Sequence, residues 1–249
     1  MSFVIYERRG AIGFVTLNRP ERLNAMSLAL DRDAAAAFSA ANTDLDCKVI
    51  VFSGNGRAFC AGDDLKEFGE QSASEAAIRE HVGAIQAVTR AIVFSEKLVI
   101  GAIHGFAIGG GFEWLLNCDM VVGADDLIAF FPEMQWGQFV TGGVTHLLPQ
   151  AVGHARAMEL IVLGERQTAA DLLRLGLVNR VVARLELLPT ATRLAETIAE
   201  KSAYSVGCLK KLLTRELSAQ FGRAMALEEE ITISCFGRLE AAERVKTFG

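Results

Sequence analysis

Proline is scarce, at 4 in 249 residues, and there are only 2 tryptophans and 2 tyrosines. With so little proline, a long disordered arm or proline-rich linker has no compositional footing. The five cysteines, Cys47, Cys60, Cys118, Cys208 and Cys235, are odd in number and never fall in a CxxC spacing. That excludes the usual metal and redox motifs and fits a reduced compartment. No block of basic residues interrupts a formal charge of −5, so the clustered Lys and Arg that neutralise phosphates are missing and nucleic acid is not expected as a partner. The longest apolar run, KLVIGAIHGFAIGGGF, is broken by His104 and several glycines, so no membrane span is expected. The first residues, MSFVIYERRG, show neither a charged leader with an apolar core nor a transit-peptide composition. The expectation is a soluble, unprocessed chain of the cytoplasm.

What the chain does have is apolar bulk. Hydrophobic residues make up 51% and charged residues 22%, enough to bury the core of one large domain or of a domain with a small appendage. FVIYERRGAIGFVTLN reads as two β-like stretches around a turn at Arg9 and Gly10, with apolar residues alternating in the second. An alanine-rich helix, MSLALDRDAAAAFSAAN, follows from a Ser27 cap, and CKVIVFSG is a short, wholly apolar strand of the kind buried on both faces. A helix across 74–95, the strand LVIGAIHG, a glycine-led helix and the strand MVVGA continue the alternation. From residue 142 the pattern turns helical through HARAMELIVLG, AADLLRLG with its Gly176 cap, TATRLAETIAEKS and LKKLLTRELS, interrupted by the strand VNRVV. The predicted architecture is an α/β core over 1–183 and a helical region over 184–249 that covers the core or a neighbouring subunit.

GFAIGGGFEWLLNCD, residues 105–119, places three glycines at a helix entrance with Glu113 just inside. Each glycine within a helix costs about 0.8 to 1 kcal/mol relative to alanine, so the triplet needs a compensating reason. A phosphate cradle is poorly supported, since GGGFEW is neither GxGxxG nor followed by the Lys-Ser/Thr of a P-loop. Close packing of the helix on a strand is a second reading. The third is chemical: unhindered N–H groups at a helix start, aimed at a carbonyl oxygen that gains charge. RAFCAGDDLKEF, 57–68, directly follows a buried strand and offers a second set of backbone amides. In AFFPEMQWG, Glu133 follows Pro132 inside an aromatic, apolar stretch, where alone it would read as a turn residue. Together the three stretches favour the chemical reading.

The chain resembles the enoyl-CoA hydratase/isomerase, or crotonase, superfamily. The resemblance runs through LNRPERLNAM, RAFCAGDDLKE, IGAIHGFAIGGGFEWLLNCDM, the PE element and DLLRLGLVNRVV. It implies an α/β, crotonase-like spiral of β-β-α turns, a helical C-terminal region that builds homotrimers or homohexamers, and an acyl-CoA thioester as substrate. Carried over by position, the family's oxyanion hole falls on the N–H groups of Asp63 and Gly110, and its hydratase carboxylates on Glu113 and Glu133. The roles implied are water activation for Glu113 and protonation of Cα for Glu133. The apolar neighbours Phe112, Trp114, Phe131 and Trp136 suggest a low-dielectric site that raises a carboxyl pKa and favours a shared proton. The stretch Arg22 to Ala25 and the loop with Ala61, Asp63, Asp64, Leu65 and Lys66 match the places where this family holds CoA. Main-chain contacts dominate there; Lys66 or Arg22 meets phosphate, or else is a solvated surface charge.

The chain departs from the family pattern in three places. Asp63 stands where small residues are frequent and is followed by Asp64, which puts two acids beside the expected thioester. Val140 and Thr141 replace a proline-glycine-rich segment that borders the acyl pocket, leaving the acyl preference open. The terminus ERVKTFG lacks the basic tail with which many relatives grip the adenine, which implies either weaker CoA affinity or a trimmed C-terminus. His104, His146 and His154 lack ligand spacing and read as structural, and His81 as solvent-facing. No metal, and no cofactor beyond the CoA of the substrate, is expected. Hydration of an enoyl-CoA is the function implied first. Double-bond isomerisation, hydrolase or dehalogenase chemistry, and a non-catalytic acyl-CoA-binding role are the alternatives.

Overall fold

The structure, a computed structural model, describes residues 2–236 and 238; Met1, Gly237 and 239–249, with the ERVKTFG terminus, lie outside the described residues. β1 (Val4–Arg9) and β2 (Ile12–Leu17) form the predicted hairpin, and α1 (Leu28–Thr43) starts from Ser27, whose side chain accepts from the Leu30 N–H. Then come β3 (Val49–Gly54), a short α2 (Phe68–Gln71), α3 (Glu75–Val93), β4 (Leu98–Ile103), β5 (Phe106–Ile108), α4 (Gly110–Asn117), β6 (Met120–Ala124) and β7 (Ile128–Phe130). The remainder is α5 (Val144–Val152), α6 (His154–Leu163), β8 (Gln167–Thr168), α7 (Ala169–Arg174), β9 (Arg180–Val182), α8 (Leu187–Ala199) and α9 (Ala203–Phe236).

The main sheet runs β1-β2-β3-β4-β6-β9, with β1 and β2 antiparallel and the other neighbours parallel. Alternate residues leave a strand on opposite faces, and both faces are covered. Val15, Leu17, Ile50 and Phe52 enter one core with Phe38 of α1, while Ile12, Phe14, Val49 and Val51 enter a second, closed by Leu187, Ala191 and Ala195 of α8. The alternation in β2 is therefore between two apolar cores.

A second, three-stranded sheet, β5-β7-β8, positions the site. β5 runs parallel to β7 and is joined on its other side to the 58–62 loop, through Cys60 N–H to Phe106 O and Ile108 N–H to Cys60 O, both 3.0 Å. Three chain segments thus run side by side in one direction. The residues that follow them, Asp63, Gly110 and Glu133, emerge at one edge, where ligands of parallel sheets bind. Phe112 and Phe131 stack beneath that edge at 4.5 Å between ring centroids.

The long α9 packs across α3 and α5. Its Lys210 ammonium is buried, 2.6 Å from Asp119 Oδ2, and also donates to Ile92 O and Lys97 O. Further along, Glu228 accepts from the Gly143 and Thr145 N–H groups at 2.7 and 2.8 Å, capping the start of α5.

Candidate active site

Asp63 and Met26 form a lone parallel bridge in which the Met26 N–H donates to Gly62 O and the Asp64 N–H to Met26 O, both 2.8 Å. Successive amides of an extended chain point in opposite directions, so the Asp63 N–H turns away from Met26. Gly110 opens α4, where a first-turn N–H has no acceptor in its own helix and the helix dipole adds positive potential. Both residues line one cavity of roughly 680 Å³, its open mouth included.

Crowding accounts for all three glycines. Gly109 sits at φ 52°, ψ −120°, a region closed to residues with a Cβ, and a Cβ there would stand 2.5 Å from Glu133 Oε1. A Cβ on Gly110 would overlap Met26 Sδ, and one on Gly111 would stand 2.5 Å from the carbonyl oxygen of Cys60. A methionine tip can swing aside; the backbone of Cys60 cannot. Gly111→Ala is therefore expected to lower stability by about 1 to 3 kcal/mol, read as an earlier urea midpoint; an unchanged midpoint contradicts it.

Glu113, in the first turn of α4, is buried and accepts from Thr141 twice, the N–H to Oε1 at 2.9 Å and Oγ1 to Oε2 at 3.0 Å. Burial raises its pKa to about 8 against the pull of the two Thr141 bonds, with the charges of Glu228 and Asp63 adding to the rise. Glu133 begins a 3-10 turn, Glu133–Trp136, and its Oε2 is buried without a hydrogen-bond partner among the described residues. Burial, then the Glu113 charge, hold its carboxyl well above the usual range. The two carboxyls resist simultaneous ionisation. Phe112, Trp114 and Phe131, all fully buried, supply the apolar surroundings.

A family model described as enoyl-CoA hydratase/isomerase matches residues 7–248. The chain belongs to this family. A probable enoyl-CoA hydratase of Rhizobium meliloti (strain 1021) is 34% identical over 98% of this chain and 94% of its own length. The crotonyl-CoA hydratase of Syntrophomonas wolfei subsp. wolfei is 32% identical over the same shares, 98% and 94%. A solved enoyl-CoA hydratase/isomerase structure from Xanthobacter autotrophicus Py2 matches with a TM-score of 0.92 and 31% identity, covering 99% of this chain and 92% of that one. An enoyl-CoA hydratase structure from Bacillus halodurans shares the fold, with a TM-score of 0.94 at 23% identity over 99% of this chain and 100% of the other. The fold is the α/β crotonase-like one, with its helical C-terminal region in place.

In this member of the enoyl-CoA hydratase/isomerase family, the loop expected to hold CoA is itself braced by charge. Asp64 is buried between Arg22 Nη2 at 2.7 Å and Arg19 Nη1 at 3.0 Å. Burial opposes its ionisation, but Arg22 and the Lys66 amide hold its carboxyl below the usual range. Two expectations change. Asp64 faces the arginines, leaving Asp63 as the acid of this loop that borders the cavity, and the Arg22 guanidinium is paired with Asp64 instead of being a free surface charge. Ala61 and Leu65 line the cavity, Ala25 is buried with its carbonyl on Arg19 Nη1 at 3.1 Å, and Lys66 is exposed. Asn24 pins the 22–26 turn from a left-handed φ of 54°, donating to Asn55 O and Ala58 O at 2.9 Å.

His81, expected to face solvent, is buried. Its Nε2 lies 3.4 Å from Asp63 Oδ1 and its Nδ1 4.0 Å from the buried Asp31 Oδ2. Burial opposes its protonation, but the carboxylates of Asp63, Asp31 and Glu67 outweigh it and raise its pKa. Its place on the apolar stripe Ile78, Val82, Ile85 of α3 is the signal that puts it inside. Thr141 and Glu228 are the other residues whose part the sequence did not reveal. His104 meets Gly56 O at 3.2 Å and His146 meets Gln150 at 2.7 Å. Among the described residues, no group of three or more His, Cys, Asp or Glu is placed to hold a metal ion, and no helix is long and apolar enough to cross a membrane.

Proposed function

We propose that the protein is an enoyl-CoA hydratase, adding water reversibly across the double bond of a 2-enoyl-CoA thioester. The observation that carries this reading is the convergence of Asp63, Gly110, Glu113 and Glu133 on one cavity. The thioester oxygen accepts from the Asp63 and Gly110 N–H groups, which with the α4 dipole stabilise the enolate-like charge. Glu113, aimed by Thr141, takes a proton from water as its oxygen bonds to Cβ; Glu133 gives its proton to Cα. Ala25, Ala61 and Leu65 border the pantetheine, Lys66 reaches a phosphate, and Arg22 acts through Asp64 to hold the loop. CoA itself comes with the substrate, and no metal or further cofactor takes part.

The hydrating form has Glu113 ionised and Glu133 protonated. For hydration, kcat/KM is therefore expected to rise with pH through about 8, where Glu113 loses its proton, and to fall once Glu133 loses its own. A profile flat from about pH 6 to about pH 9 contradicts that assignment.

A homotrimer or homohexamer in the cytoplasm completes the proposal. Met158, Val162 and Leu163 on α6, Leu173 on α7, and Leu212 and Leu213 on α9 are exposed, which favours a covered face. The five unpaired cysteines fit a reducing compartment, and the acidic charge balance disfavours nucleic acid. Adding the protein to crotonyl-CoA tests the activity. Loss of the conjugated enoyl-thioester absorbance with a mass gain of one water is expected, and a stable band with the ester bound overturns the reading.

A further inference from the structure

We infer that the acyl pocket is built for an enoyl group carrying a neutral hydroxyl on a carbon beyond Cβ. This rests on the hydratase reading of the site and concerns the part of the cavity that the reaction does not use. Besides Glu133 and His81, whose ring faces Asp63 and Asp31, two side chains in its wall are buried and have polar atoms without a hydrogen-bond partner among the described residues. Gln138, at 8% exposure, has both Nε2 and Oε1 unpaired; Thr232, at 2%, has Oγ1 unpaired. A helical threonine ordinarily returns its hydroxyl to the carbonyl four residues back, as Thr43, Thr197 and Thr214 do. Thr232 makes no such bond. Among the described residues Thr89 is the other buried helical threonine without one, and it is not part of the cavity wall.

Buried polar groups persist in folded proteins when something satisfies them, and here the two residues that carry them line the cavity into which the substrate must reach. Gln138 comes from the turn that starts at Glu133, and Thr232 from α9, so the two belong to separate elements around one space. Their chemistry is that of a hydroxyl's partner. The Gln138 amide both donates and accepts, and so does the Thr232 hydroxyl. The charge around the space selects against an acid. In the hydrating form Asp63 and Glu113 border it as carboxylates, and the nearby His81 ring is already turned to Asp63, so a carboxylate on the acyl chain would meet like charge, while a purely alkyl tail would leave three polar atoms unsatisfied. Val82, Ile85 and Phe139 give the hydroxylated chain its apolar surroundings.

The test compares thioesters of equal size that exchange a terminal methyl for a hydroxyl: 4-hydroxybut-2-enoyl-CoA with pent-2-enoyl-CoA, and 5-hydroxypent-2-enoyl-CoA with hex-2-enoyl-CoA. At one of the two lengths, kcat/KM for hydration is expected to favour the hydroxyl by about tenfold or more. Gln138→Leu and Thr232→Val should each reduce that ratio by about threefold or more, a comparison made within one variant and so insensitive to its folded fraction. A preference for methyl at both lengths in the wild type, or a ratio unmoved by both substitutions, overturns the inference. Calorimetric binding of the saturated esters at both lengths, 4-hydroxybutanoyl-CoA with pentanoyl-CoA and 5-hydroxypentanoyl-CoA with hexanoyl-CoA, separates it from the reaction. If no enoyl ester is hydrated but the hydroxylated ester of one pair binds more tightly, the hydratase reading fails and the pocket inference stands. Tighter binding of the methyl-ended ester in both pairs overturns the pocket inference whatever the turnover.

Discussion

Glu113→Gln and Glu133→Gln are each expected to lower hydration of crotonyl-CoA by about a hundredfold or more, with the thioester still bound. The reason lies in proton transfer, since an amide neither takes the proton of water nor delivers one to Cα at useful rates. The structure also explains why the substitution at 113 should be tolerated by the fold. Glutamine can keep its carbonyl oxygen on the Thr141 N–H and turn its NH2 to Thr141 Oγ1, a hydroxyl that rotates to accept, so both present contacts have counterparts. At 133 the carboxyl is already held toward its neutral form by burial, and replacing it with a neutral amide removes no buried charge pair. Turnover measured beside binding of a saturated acyl-CoA separates the chemistry from the pocket. Unchanged turnover in both variants contradicts the two-carboxylate mechanism.

The largest effect on stability is expected at Lys210. Its ammonium holds Asp119 at 2.6 Å and two backbone carbonyls, Ile92 O and Lys97 O, and so fastens α9 to the ends of α3 and β4. Lys210→Met keeps most of the side-chain volume but strands the Asp119 carboxylate, whose remaining donor is the Val99 N–H at 2.7 Å. Breaking a fully buried pair by removing one partner typically costs about 3 to 5 kcal/mol; the Asp119 side chain is 20% exposed and partly hydrated, so a loss toward the lower end of that range is expected in urea unfolding. The paired substitution Asp119→Leu with Lys210→Met should recover part of it, because no half-buried charge is then left without its partner. A single variant as stable as the wild type contradicts this account of the α9 anchor.

Much of the fold was legible because its signals are local. The Ser27 cap, the glycine at 176, the hairpin around Arg9 and Gly10, and the fully apolar β3 all appear where the residues place them. The second sheet was not legible. β5, β7 and β8 are two or three residues long, too short for a period of two to register, although they deliver Gly110 and Glu133 to the site. The buried face of α9 explains another omission. Lys210, Phe221, Met225, Glu228 and Thr232 all lie inside, and a stripe that mixes apolar with charged residues gives no clear amphipathic signal. Their partners are distant in sequence: Asp119 is 91 positions from Lys210, and Thr145 is 83 from Glu228. In the site, Glu113, Glu133, Gly110 and Asp63 were reached by resemblance, whereas the burial of His81 and the commitment of Arg22 to Asp64 depend on contacts that no short motif encodes.

Labelled water gives the most direct test of hydration by this pair of carboxyls. Crotonyl-CoA is incubated with the wild-type protein in deuterated, oxygen-18-enriched water, and the product is examined by mass and proton resonance. Hydration requires one solvent deuteron at Cα and one oxygen-18 at Cβ, with both labels lost to about the same extent in Glu113→Gln. Deuterium at Cγ with no oxygen gained would contradict it and identify a double-bond isomerase.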